Sequence, residues 1–177
     1  MSASRIALVV VCLIAVSQSA LAQEKSPLVT RNRIQLNLAG AEIVLAAAKK
    51  KASELGLKMN IAIVDDGGQL LSFARMDGAR PASATTALTK AVSAATFRQE
   101  TGPMPAKGEP DLLLSLSLQN AAAASGGKIT SLKGGVPIVV DGQVIGAIGV
   151  GGGTGEQDVE VAKAGIQALL DSLNEKK

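Results

Sequence analysis

The sequence predicts a single α/β domain of the α+β kind, an antiparallel sheet flanked by helices, with elements in the order α-β-β-α-α-β-β-β-α. Three observations carry that expectation. Apolar residues recur at a 3.6-residue period near residue 40 and again near residue 160, short β-branched runs are separated by Asp- and Gly-rich turns, and the roughly 155 residues after Ala22 suit one core.

Asn37 is a candidate N-cap, and Leu38, Ala41, Leu45, Ala48, Ala52 and Leu55 form one helical stripe ending at Gly56. Residues 59–64 are apolar and partly β-branched, and Asp65, Asp66, Gly67 and Gly68 supply the turn chemistry for reversal into 69–75, a β-hairpin. Pro81 suits the first turn of a second helix reaching Arg98; its many alanines imply close packing against a neighbour. Gly102, Pro103, Pro105, Gly108 and Pro110 mark a loop, a candidate flap over a site. Between residues 112 and 124 leucines alternate as in a strand and alanines then follow; the stretch is read as a helix. Residues 128–132, 136–140 and 143–150 read as three strands, the last two joined by Asp141-Gly142. Thr154 and Gln157 form a capping box ahead of a helix striped by Val159, Ala162, Ile166, Leu169 and Leu173.

Arg5, the apolar run 6–16 and the small residues closing at Ala20, Leu21 and Ala22 follow the three-part plan of a secretory signal peptide. The expected organisation is therefore a signal peptide at 1–22, a mature N-terminal extension at 23–33 and a domain at 34–177. The product would be exported, periplasmic or secreted. The apolar run falls short of the ~20 residues of a spanning helix, so no stable membrane insertion is expected after cleavage. Cleavage would also remove Cys12, the only cysteine.

Absence bounds the chemistry most sharply. With no histidine in the chain, a Ser-His-Asp triad, a conventional zinc hydrolase centre and histidine-ligated haem are excluded, and no metal site is expected. A net charge of +3 is too balanced to predict a polyanion partner, and Phe73 and Phe97 are the only aromatic residues, so nucleic acid is not an expected partner. Carboxylate, lysine, arginine and hydroxyl chemistry remains.

Three clusters offer it. Arg75, Met76, Asp77, Gly78 and Arg80 sit at a strand-to-helix corner, where charged groups are well placed for a site; a solvated turn explains them too. Lys90 lies among Ala84, Ala87, Ala91 and Ala94, where a desolvated lysine can act as base or electrophile, or can lay its stem on apolar surface with its ammonium in water. The run 149–155 offers backbone amides to an anion, although no frame fits G-x-G-x-x-G and Glu156, Asp158 and Glu160 already complement the helix dipole; a close-packed turn is the alternative. Asp65 and Asp66 are too few for a calcium site and suit ordinary turn roles.

These same residues carry a family resemblance. Arg75-Met76-Asp77-Gly78-Ala79, Lys90-Ala91, Gly134-Gly135-Val136-Pro137-Ile138, the run 142–150, Gly153-Thr154, Glu156-Gln157-Asp158 and the segment 162–165 resemble the GlcG/HbpS pattern. The C-terminal domain of PduO-type corrinoid adenosyltransferases is similar. The resemblance implies a five-stranded antiparallel sheet with helices, a homo-oligomer, and for some relatives haem binding. Gln69 and Gly151 stand where many relatives carry histidine and serine. Haem would accordingly have to be held by its propionates through Arg75, Arg80 or Lys90, with Met59, Met76 or Met104 as axial ligand.

The expected role is that of an exported binding protein for a small molecule, haem or a related tetrapyrrole, with Arg75, Met76, Asp77, Gly78, Lys90, Gly151, Gly152 and Thr154 as ligand-binding residues. Two alternatives stand beside it. One is an enzyme on a small carboxylate-bearing substrate, with Arg75 holding the carboxylate and Lys90 or Asp77 moving a proton; the other is an oligomeric scaffold whose alanine- and glycine-rich faces pack between subunits.

Overall fold

Among the described residues four strands make the sheet, one fewer than expected. A computed structural model describes residues 28–105 and 108–175 of the chain. The expected signal peptide at 1–22, with Cys12, lies outside the described residues, as does residue 23–27 of the expected extension. By internal contacts the chain divides into a segment Met1–Arg31 and a unit Asn32–Lys177, and every element below belongs to the second.

The elements are α1 (Leu38–Glu54), β1 (Asn60–Asp65), β2 (Leu70–Arg75), α2 (Ala82–Phe97), α3 (Leu112–Ala124), β3 (Gly135–Val140), β4 (Gln143–Gly151) and α4 (Gly155–Asn174). The sheet runs β2-β1-β4-β3 and is antiparallel at every pairing. The expected strand at 128–132 is absent for a local reason. Gly126 and Gly127 turn the chain out of α3 with φ of 72° and 76°, and side chains then take the backbone groups that a ladder would need. Thr130 N donates to Ser93 Oγ at 2.8 Å, and Leu132 O accepts from Thr101 Oγ1 at 2.6 Å.

Local chemistry accounts for the other boundaries. Asn37 Oδ1 accepts from Gly40 N, starting α1, and the Thr154–Gln157 capping box starts α4. Asp65 Oδ1 accepts from both Gly67 N and Gln69 N, which is the turn role expected of it. Asp141 and Gly142 take φ of 47° and 73°, the left-handed pair that a two-residue hairpin requires.

Each strand sends alternate residues to opposite faces. One face carries Ile61, Ile63, Ile148 and Val150 and packs on α1 and α4 through Val44, Leu45, Ala48, Val159 and Ala162. Lys51 and Glu160 bridge these two helices at 2.8 Å, and that hydrogen bond raises the lysine pKa above its ordinary value. The other face carries Ala62, Ala147 and several glycines and packs on α2, through Ala87, Ala91 and Ala94. The small residues of α2 are thus used inside the fold. No helix among the described residues is long and apolar enough to cross a membrane.

Candidate ligand-binding site

The site is a product of how closely α2 lies on the sheet. A side chain at Gly149 would run into Ala87 O and Ala91, one at Gly135 into Lys90 O, and one at Gly151 would meet Thr86 Oγ1 at 2.9 Å and Ser83 O at 3.0 Å. These three glycines form a floor on which the helix backbone rests directly. Close approach brings Lys90, only 5% exposed, within reach of the far side of β4.

There its Nζ donates to Val150 O at 2.8 Å and to Asp158 Oδ2 at 2.6 Å. Asp158, 2% exposed, sits in the first turn of α4, where the helix dipole favours a negative charge. Its other oxygen accepts from Gly153 N at 3.0 Å. Gly134 at φ 122° leaves room for the pair, since a Cβ there would lie 2.9 Å from the ammonium. The buried ion pair therefore ties α2, the end of β4 and the start of α4 together.

Above it opens a cleft of about 330 Å³, walled by Arg80, Thr86, Lys133, Gly152 and Gly153 with Lys90 and Asp158 beneath. Arg80 Nε donates to Ser83 Oγ at 3.0 Å, which orients the guanidinium, and its terminal nitrogens have no partner among the described residues. Lys133 is paired with Glu156 at the rim. Three cations face two carboxylates, so the cleft is suited to a compact anion. Among the described residues no group of three His, Cys, Asp or Glu could hold a metal ion.

Lys90 and Gly152 line this cleft, and Gly151 lies beneath it against α2. Thr154 has its hydroxyl bonded to Gln157 N at 3.3 Å in the capping box. The Arg75–Gly78 corner stands elsewhere. Met76 and Asp77 line a separate, open groove of about 620 Å³ with Lys49, Lys50 and Lys58, and the two depressions share no residue. Gly78, at φ 77°, makes the turn beside Lys58.

Two polar residues escaped the sequence reading. Asp158 was legible only as a dipole partner, because nothing local points 68 positions back to Lys90. Asn60 heads β1 opposite Gly151; its Nδ2 donates to Arg80 O at 3.0 Å, and its fully buried Oδ1 has no partner among the described residues. A lone asparagine before an apolar strand was the only signal for it.

An antiparallel sheet with two helices on one face, one helix pressed on a glycine floor and a charged cleft at its end defines a class of small α/β domains. The model of the family described as haem degrading protein HbpS-like matches residues 36–167, and the chain belongs to that family. It is 40% identical over 120 residues to protein GlcG of Escherichia coli K12, covering 68% of this chain and 84% of that one. Klebsiella pneumoniae ORFY superposes with a TM-score of 0.68 at 31% identity, over 82% of this chain and 98% of that one. A double mutant of Streptomyces reticuli HbpS superposes with a TM-score of 0.64 at 28% identity, over 82% and 97%.

Proposed function

We propose that this chain is a binding protein for a small carboxylate-bearing ligand, seated in the cleft above Lys90 and Asp158. The observation that carries the reading is Arg80, an oriented guanidinium whose terminal nitrogens have no partner among the described residues and whose planar fork matches a carboxylate. A volume of about 330 Å³ suits a small molecule. Lys90 already directs two of its three N–H donors to Val150 and Asp158, which leaves one for a ligand and favours a binding role over proton transfer.

The family description brings haem, but the residues of this cleft do not fit that group. Met59 is fully buried in the core, Met104 Sδ accepts from Gln99 Nε2 at 3.3 Å, and Met76 lines the other groove, so none of the three soft ligands reaches the cleft. Phe73 and Phe97, the only aromatic residues, line no part of it either. The pattern of Arg5, the run 6–16 and Ala20-Leu21-Ala22 supports export, so the ligand is one met outside the cytoplasm. The resemblance further supports self-association.

Thermal unfolding against a panel of small mono- and dicarboxylates, with hemin alongside, tests the proposal. A carboxylate at about 100 times its Kd should stabilise the protein by about 2.7 kcal/mol and Arg80→Ala should abolish the shift. A shift that survives Arg80→Ala, or a saturable Soret change with hemin and no response to any carboxylate, would overturn it.

A further inference from the structure

Helix α3 is unlike the other three. Its 13 residues include no buried one, and it carries no charge from Leu112 to Ala124. Leu112 and Leu113 are 72% and 76% exposed, and Leu116 is 52% exposed. Only Ser115, Leu118, Ala122 and the C-cap Ser125 are partly covered, so the helix touches the domain along one narrow line. The opposite face, at helical spacing, presents Leu113, Leu116, Ser117, Asn120 and Ala124 to water. A helix apolar on nearly every side is stable where something covers it.

We infer that a second copy of this chain covers α3, with the two helices antiparallel about a twofold axis near their midpoints. The arrangement follows from the order of residues. The first half of the helix is leucine-rich and the second is alanine-rich, so only an antiparallel pairing sets large side chains against small ones, Leu113 opposite Ala124, along the whole seam. The same pairing brings Ser117 of each copy opposite Asn120 of the other, two polar side chains able to bond across the axis.

Charge points the same way. Asp111 caps the start of α3, and the nearest charged residue beyond its end is Lys128, exposed. In an antiparallel pair each Asp111 lies toward the other copy's Lys128, and the helix dipoles oppose. A parallel pair would set like charge against like at both ends. This inference supplies the contact for the self-association proposed above, and it is independent of the cleft.

Protein expressed from the full sequence with Cys12→Ser, so that no native thiol competes, provides the test. Sedimentation velocity should show at least a dimer, and Leu113→Glu with Leu116→Glu should weaken association at least tenfold while the circular dichroism spectrum is kept. Under mild oxidation Ser117→Cys should cross-link to itself. Leu113→Cys should not, because the paired ends are ~16 Å apart along the axis, yet it should cross-link to Ala124→Cys in a mixture. Self-linking of Leu113→Cys in place of that pattern would overturn the geometry. An oligomer indifferent to both glutamates would sink this contact and leave self-association standing; a monomer at every concentration would end both.

Discussion

The two faces of the sheet are held by opposite means. On the α1 and α4 side, bulky aliphatic groups such as Ile61, Ile148 and Val150 fill the space between layers, each contributing about 1.5–3 kcal/mol by burial. On the α2 side the space itself is missing, because Gly135, Gly149 and Gly151 let the helix backbone rest on the strands. The first face gains stability from what it contains; the second gains position from what it lacks. Only the second can carry a lysine to the C-terminal end of β4, so the candidate site belongs to it.

Breaking the buried pair should have the largest effect. Lys90→Met leaves Asp158 charged, buried and unpaired, and is expected to cost about 3–5 kcal/mol in urea unfolding. The double variant with Asp158→Leu should recover most of it; a cost below 1 kcal/mol for Lys90→Met alone would show the pair to be solvated. Next, Gly149→Ala adds one methyl against Ala87 O and should cost about 1–3 kcal/mol, since helix and strand must part. Removing one methyl from the opposite face, Ile148→Val, should cost less, about 1 kcal/mol. If the order of those two is reversed by denaturant titration, the contrast between the faces fails. Smallest in reach is Thr154→Ala, which removes one cap bond and is expected to cost about 1 kcal/mol while leaving Arg80-dependent ligand stabilisation intact.

Most of the fold was legible because its signals are local. The stripe from Ala41 to Ala52, the capping box at Thr154 and the Asp141-Gly142 turn each act within a few residues, and each lies where periodicity placed it. The strand at 128–132 was misread because Ile129 and Thr130 look β-branched and extended, while the backbone's partners are side chains from Ser93 and Thr101, far away in sequence. The site was half legible for the same reason. Lys90 among alanines was visible as an anomaly, but its acceptors lie 60 and 68 residues on, and Arg80 gains its orientation only through Ser83. Composition could count charges; it could not pair them.

The bond between Lys90 and Asp158 also sets an order of assembly. It spans 68 positions and joins a helix from the first half of the domain to one from the last, so this bond closes only once the C-terminal helix has wound its first turn. Amide protons of α2 and of the opening turn of α4 should therefore gain protection from exchange in step during refolding, and lag behind those of the β1–β2 hairpin, whose partners are neighbours along the chain.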